Sequence, residues 1–232
     1  DLLRALDERG RANEAFLADL AHEFKNPVAA LRACAEKLED SGEIDAERAR
    51  RLAGVMQRST ARLDELVTEL LELARAEAGL PDEEREQVDQ TRLVAGVVEA
   101  MQAAASAKEI ALELRAPVDS VVVEAVSLRV ESVLRNLVDN ALSFAGEGGR
   151  VEVTLEREPA SAVLRVVDSG PGIADDDLPR VFDRFFTTRH QRKGTGLGLA
   201  LCRAIVEAHG GEIAATSPAG GGAELRVRLP LA

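Results

Sequence analysis

Four groups of side chains in this sequence have the types and the spacing to do chemistry. In "HEFKNP", His22 stands beside Glu23, with Asn26 one helical turn on and Pro27 directly after it. An imidazole next to a carboxylate suits nucleophilic attack, because the carboxylate can hold one ring nitrogen protonated and free the other. In "NLVDN", Asn136 and Asn140 are four apart and so share one face of a helix. In "VVDSGPGI", an apolar run ends in Asp168 and then Gly170 and Gly172. In "KGTGLGLAL", Gly194, Gly196 and Gly198 lead into an apolar helical pattern. Glycines at a helix entry let backbone N–H groups approach phosphate, and the helix N-terminus favours the negative charge.

Each group alone has a plainer explanation. Asn amides midway along a helix are usually surface residues, and "DSGPG" suits a strand-to-loop turn. The last motif is not a Walker loop, since no Lys-Ser/Thr follows its final glycine, and no βαβ unit brackets it as a dinucleotide fold requires. Their combination, a histidine nucleophile with a phosphate-binding donor site, is what carries weight.

The elements that position His22 are two helices. Leu17, Leu20, Phe24, Val28, Leu31, Ala35 and Leu38 recur at spacings of three and four. "DSGEID" (40–45) interrupts with turn formers. Leu52, Met56, Ser59, Leu63, Leu66, Leu70 and Leu73 then alternate four and three. The spacing predicts an antiparallel hairpin with heptad-like seams. At about 100° per residue, His22 lies roughly opposite the Leu20–Phe24 seam and faces solvent, on the side shared with Asn26. Pro27 deletes the hydrogen bond to the Glu23 carbonyl at a cost of about 3 kcal/mol, loosening the turn beside the histidine. One hairpin buries two apolar stripes poorly, so pairing with a second copy into a four-helix bundle is the expectation. The alternative is a hairpin docked on its own second domain.

The chain divides as 1–79 helical hairpin, 80–89 linker ("LPDEEREQVD", acidic with Pro81) and 90–232 second domain. In the second domain the pattern predicts helices over 91–107, 127–144 and 197–208. Strands are expected near 110–114, 120–124, 151–156, 162–167, 212–216 and 223–229. Helices grouped against a mostly antiparallel sheet make a two-layer α/β sandwich. The fold class is therefore multidomain, α followed by α+β.

Composition narrows the function. The 232 residues carry a formal net charge of −12, with aromatics at 3% and no Trp or Tyr. That disfavours nucleic-acid binding by stacking or by charge. Cys34 and Cys202 fall in different predicted helices, with no disulfide framework or metal spacing, as in a reducing compartment. No apolar run reaches the roughly 18 residues that would span a bilayer. The sequence begins at Asp1 inside a helical pattern, so a fragment of a longer protein is expected, any membrane segment lying outside it.

Together these motifs resemble the orthodox sensor histidine kinases of two-component signalling, and the resemblance covers essentially the whole chain. "HEFKNP" is similar to the family's H box, "NLVDNA" to its N box and "DSGPG" to its first glycine box. "VFDRFF" is similar to the F box, "GTGLGL" to the second glycine box and "AHGGEI" to its continuation. The resemblance implies a dimerisation and histidine-phosphotransfer hairpin followed by a gyrase-type ATP-binding domain. It further implies that His22 is the phosphoacceptor, Glu23 its activating partner, and Asn26 the residue that orients water for regulator dephosphorylation. Asn140 would ligate Mg²⁺ bridging the ATP phosphates, with Asn136 nearby. Asp168 would accept from the adenine amino group, with Gly170 and Gly172 shaping that pocket. Lys193, Gly194, Thr195, Gly196, Leu197 and Gly198 would form the phosphate-binding segment. Phe182, Phe185 and Phe186 would anchor a lid over about 169–195.

Some positions depart from the family's commoner pattern. Ser143 and Phe144 stand where a basic residue and Tyr are usual, and Thr187 where a basic residue often follows the F box. Arg184, Arg189, Arg192 or Lys193 would then neutralise phosphate. His190 and His209 are read as structural or incidental.

The resulting expectation is the cytoplasmic kinase core of an inner-membrane-anchored sensor, using ATP and Mg²⁺. It would pass phosphoryl to a response-regulator aspartate and run the reverse phosphatase step. The rivals are a degenerate kinase acting as a scaffold, disfavoured by intact His22, Asn140 and Asp168, and a gyrase- or chaperone-like ATPase, which has no need of the histidine hairpin.

Overall fold

The computed structural model describes residues 2–39, 45–81, 83–188, 194–218 and 221–232, with side-chain surroundings at residue 14 and from residue 16 onward. It divides into two compact units: Asp1–Leu71 with Thr187–Gly196, and Glu72–Phe186 with Leu197–Ala232.

The first unit is built on helices α1 (Leu2–Glu39) and α2 (Ala46–Glu77, whose last turn belongs to the second unit). Asp45 caps α2, its Oδ1 accepting from the Arg48 N–H at 2.7 Å. The remainder of the expected 40–45 turn lies outside the described residues. The seam of α2 is as expected, with Leu52, Ser59, Leu66 and Leu73 buried and Met56, Leu63 and Leu70 half-buried between them.

The seam of α1 needs correction. Pro27 and Cys34 are buried, whereas Leu17 is 54% and Val28 50% exposed. Val28 follows Pro27 by one residue and so points about 100° further around the helix. Leu20, Phe24 and Leu31 lie angularly between the two directions and are half-buried. What reads as one stripe is two adjacent faces, of which α2 covers only the one centred on Pro27 and Cys34. On α2, Val67 and Leu71 are likewise exposed. The helix runs unbroken through Pro27.

In the second unit, β1 (Glu86–Asp89) occupies the end of the expected linker and pairs antiparallel with β3 (Val122–Ala125). Its four residues alternate too briefly to show in an acidic stretch, and pairing supplies what periodicity lacks. Asp89 then caps α3 (Gln90–Ser106), accepting from the Arg92 N–H. A five-stranded sheet has the order β2-β4-β5-β7-β6, with β2 (Ala111–Arg115) parallel to β4 (Arg150–Arg157) and the other pairs antiparallel. Its remaining strands are β5 (Ser161–Asp168), β6 (Glu212–Thr216) and β7 (Glu224–Pro230).

Against this sheet lie α3, α4 (Ser127–Phe144) and α5 (Gly198–Ala208). On α4 the buried residues are Val130, Val133, Leu134, Leu137, Val138, Ala141 and Leu142, a one-sided helical stripe. They meet Val151, Val153 and Leu155 of β4 and Leu164 and Val166 of β5, while α5 covers β7, whose Leu225, Val227 and Leu229 alternate inward on the same side. This two-layer α/β sandwich matches the fold class expected.

Candidate active site

His22 is exposed on α1, as is Asn26, while Glu23 between them is half-buried. The cause is the angular arrangement: Glu23 turns toward α2, where Arg62 Nη2 donates to its Oε2 at 3.1 Å. The same guanidinium donates to Glu65 Oε2 at 3.1 Å and to the Gly194 carbonyl at 2.9 Å. Arg62 therefore holds the Glu23 carboxylate oriented next to a residue whose imidazole is open to solvent. Next to them an open groove of about 260 Å³ is lined by Glu23, Asn26, Pro27, Val55, Arg58, Ser59 and Arg62.

In the second unit, α4 presents Asn136 and Asn140 half-exposed, one turn apart, along one edge of its buried stripe. Gly198 opens α5 so close to α4 that a Cβ there would lie 3.3 Å from Asn136 Oδ1. No side chain at the N-cap position, Leu197, bonds the first turn of α5. The end of β5 places Asp168, buried at 8% exposure, with its Oδ1 accepting from the Gly170 N–H at 2.7 Å. A Cβ on Gly170 would meet the Phe144 carbonyl oxygen at 2.6 Å, so only glycine lets this loop reach α4. Gly172 has φ +80°, the left-handed region that glycine favours.

These residues fit an adenine nucleotide: a buried carboxylate at the base of a glycine-shaped loop, two amides on a helix face, and a helix entry without a side-chain cap. Among the described residues no group of three or more His, Cys, Asp or Glu could hold a metal ion. A cation near Asn140 would thus depend on phosphate oxygens for most of its ligands, as Mg²⁺ commonly does.

The other expected site residues are distributed as follows. Gly194, Thr195 and Gly196 belong to the first unit, and Leu197 and Gly198 to the second. The Thr195 hydroxyl bonds Glu69. Arg189, His190, Arg192 and Lys193 lie outside the described residues. Arg184, a candidate for phosphate neutralisation, is ion-paired with Glu77. In the F box, Phe182, Phe185 and Phe186 are half-buried, and the Arg180 guanidinium lies 4.8 Å from the Phe186 ring centroid. Phe185 adopts φ +61°, an uncommon conformation for a side chain of this bulk.

His209 is structural. It is 3% exposed, and its Nε2 accepts from the Val126 N–H at 3.0 Å. The ring proton therefore sits on Nδ1, which donates to the Ile205 carbonyl at 2.7 Å. Val126 is the N-cap of α4, and the imidazole satisfies its backbone N–H, as the N3 side chain of a capping box would. Burial pushes the His209 pKa below 6.5, opposed by the Ile205 bond. Beside it, Arg129 sits in the first turn of α4, where the helix dipole disfavours a cation. Glu83 answers with bonds of 2.8 and 2.6 Å, and Glu72 lies at 3.5 Å. The Arg129 hydrogen bond holds Glu83 below its usual carboxylate pKa.

Comparison with known proteins agrees with this geometry. A family model described as "His Kinase A (phospho-acceptor) domain" matches residues 12–79. One described as "Histidine kinase-, DNA gyrase B-, and HSP90-like ATPase" matches residues 125–232. The catalytic domain of histidine kinase ThkA is 31% identical with a TM-score of 0.59, the match covering 63% of this chain and 95% of that one. The chain belongs to the sensor histidine kinases.

Among curated relatives of this histidine kinase, the sensor protein ChvG of Rhizobium meliloti is 35% identical over 95% of this chain and 40% of its own length. The probable sensor histidine kinase TcrY of Mycobacterium tuberculosis is 38% identical over 93% of this chain and 45% of its own. The chain thus spans less than half of these relatives. A crystal structure of ThkA in complex with the response regulator protein TrrA superposes with a TM-score of 0.77 at 26% identity, covering 99% of this chain and 65% of that one. Among the described residues no helix is long and apolar enough to cross a membrane.

Sequence reasoning did not find Arg62, Ser217 or Gly222, all of which touch the kinase's candidate site residues. Arg62 is 39 residues from Glu23 and reaches it only because the hairpin folds back. Ser217 and Gly222 lie in an unremarkable Gly-rich turn whose significance depends on what the sheet places next to it.

Proposed function

We propose that this chain is the kinase core of a two-component sensor, transferring the γ-phosphoryl of ATP to a ring nitrogen of His22. An N–P bond forms, the bond from phosphorus to the ADP oxygen breaks, and the displaced ring proton passes toward Glu23. The observation that carries the reading is an imidazole open to solvent beside a carboxylate that Arg62 fixes at 3.1 Å. Phosphoryl transfer depends chiefly on positioning and charge neutralisation, and on the acceptor side the Arg62–Glu23 contact supports the positioning. Asp168 would accept from the adenine amino group, Gly170 and Gly172 shape the base pocket, and Asn136 and the Gly194–Gly198 segment hold phosphate. Asn140 would hold Mg²⁺, which when bound neutralises developing phosphate charge.

The second substrate is an aspartate on a response-regulator receiver domain, as the partner of ThkA suggests. Asn26, neutral and on the face of His22, would orient water for the reverse step. The exposed stripe Leu17, Val28, Val67 and Leu71 supports a homodimeric four-helix bundle, since a second copy covers what one hairpin leaves bare. The whole protein would be a membrane-anchored sensor with this portion in the cytoplasm, in line with its sensor-protein relatives.

The test is incubation with γ-labelled ATP. Wild type should acquire acid-labile, alkali-stable label, and His22→Gln should acquire none while still binding nucleotide. Label persisting in His22→Gln would move the acceptor elsewhere. Free phosphate without labelled protein would favour the ATPase reading, and neither product would favour the scaffold.

A further inference from the structure

Beyond the residues of the glycine motifs, the turn between β6 and β7 is fastened to the loop that carries Asp168. Ser217 Oγ accepts from the Ile173 N–H at 3.0 Å and donates to the Gly222 carbonyl at 3.1 Å. The Gly222 N–H donates to the Gly170 carbonyl at 2.9 Å, and the Asp168 N–H to the Ala223 carbonyl at 3.0 Å. The contact leaves no room for a side chain between the two backbones. A Cβ on Gly222 would lie 1.9 Å from the Asp168 carbonyl oxygen, and one on Gly172 would lie 2.4 Å from Ser217 Oγ. Gly222 itself has φ +83°.

We propose that Ser217 is a positioning residue for base recognition: its hydroxyl, bridging Ile173 and Gly222, holds the 168–173 loop at the height where the Asp168 carboxylate meets the adenine amino group. This rests on the adenine role of Asp168 proposed above. The backbone bonds fix both ends of the contact, at Asp168 and at Gly170. Downstream of them, the Ser217 hydroxyl holds Ile173, after the left-handed turn at Gly172. A hydroxyl is the one small side chain that can accept from the first strand of the contact and donate to the second at once. Losing it leaves the Ile173 N–H and the Gly222 carbonyl to find other partners and lets the loop shift. A carboxylate that recognises one exocyclic amine is sensitive to such a shift, while phosphate binding at the other end of the site is not.

The experiment is calorimetric titration of ADP and of GDP into the whole chain with Mg²⁺ present, for wild type, Ser217→Ala, Ser217→Thr and Asp168→Asn. Wild type should prefer ADP. Ser217→Ala should weaken ADP about tenfold, roughly 1.4 kcal/mol, with GDP changed far less, so that base discrimination falls. Ser217→Thr, which keeps the hydroxyl, should retain discrimination. Equal weakening of ADP and GDP by Ser217→Ala would reduce Ser217 to general stability and overturn the proposal. So would undiminished ADP affinity in Ser217→Ala when Asp168→Asn has lost it. Undiminished affinity in Asp168→Asn would instead sink the adenine assignment itself.

Discussion

Pro27→Ala separates what the proline costs from what it does. In the interior of a helix, Pro is about 3 kcal/mol less favourable than Ala, a difference that includes the missing bond to the Glu23 carbonyl. Pro27 is buried against α2, however, so the substitution also removes about two buried methylenes, worth roughly 1.6 kcal/mol at about 0.8 each. The net expectation is a gain of about 1 to 1.5 kcal/mol per protomer, by that subtraction. For a unit of this size that is a rise of about 4–8 °C in melting temperature per kcal/mol. The seam residues are unchanged, so the oligomeric state should be too. With the turn beside His22 stiffer, kinase and phosphatase rates should no longer keep their wild-type ratio. The assay is thermal melting together with both rates on one preparation. A variant that melts higher with both rates unaltered would show that the proline is tolerated rather than used. One that melts lower would refute the energetic argument, meaning that the buried ring outweighs the lost hydrogen bond.

Replacing Asn26 with Ala should slow regulator dephosphorylation at least tenfold while autophosphorylation changes by less than about threefold, since a neutral amide orients water but moves no proton. Parallel loss of both rates, followed with the same labelled protein, would point to damage in α1 instead. The pH dependence of stability should carry a His209 signature. Its folded pKa lies below the unfolded value of 6.5, so the unfolded state binds protons first as pH falls. Stability is full above about pH 6.5 and declines as pH drops below it. Glu83, whose folded pKa is also depressed, adds a second loss only below about 4.5. Denaturant melts of wild type and His209→Gln at pH 7.5 and 5.5 should show the decline in the first and a shallower one in the second; equal slopes would mean that the imidazole does not titrate on unfolding.

Much of this chain was legible without coordinates, because its signals are local. The helix at 127–144 and the strand at 212–216 were placed to the residue, the first by its 3.6-residue apolar stripe, and the strand expected near 162–167 runs one residue further at each end. His22 could be set on the solvent side by angle alone, and its exposure agrees. The candidate site residues are adjacent or one turn apart within their own motifs, which is why their chemistry shows in one dimension.

Tertiary structure decided whatever depends on which segments meet. It divided the α1 stripe into a face covered by α2 and a face left bare, because periodicity gives a direction but not the width of the neighbour. It made a strand of Glu86–Asp89 through pairing with Val122–Ala125, a partner remote in sequence. Arg62 reached Glu23, and His209 met the backbone N–H of Val126 at the start of α4, 83 residues away. Most of all, it set Ser217 and Gly222 against the Asp168 loop. A hydroxyl and a glycine are silent in sequence because any surface turn can hold them. They acquire a role only when the sheet brings another backbone within a Cβ's breadth, and no local pattern records that distance.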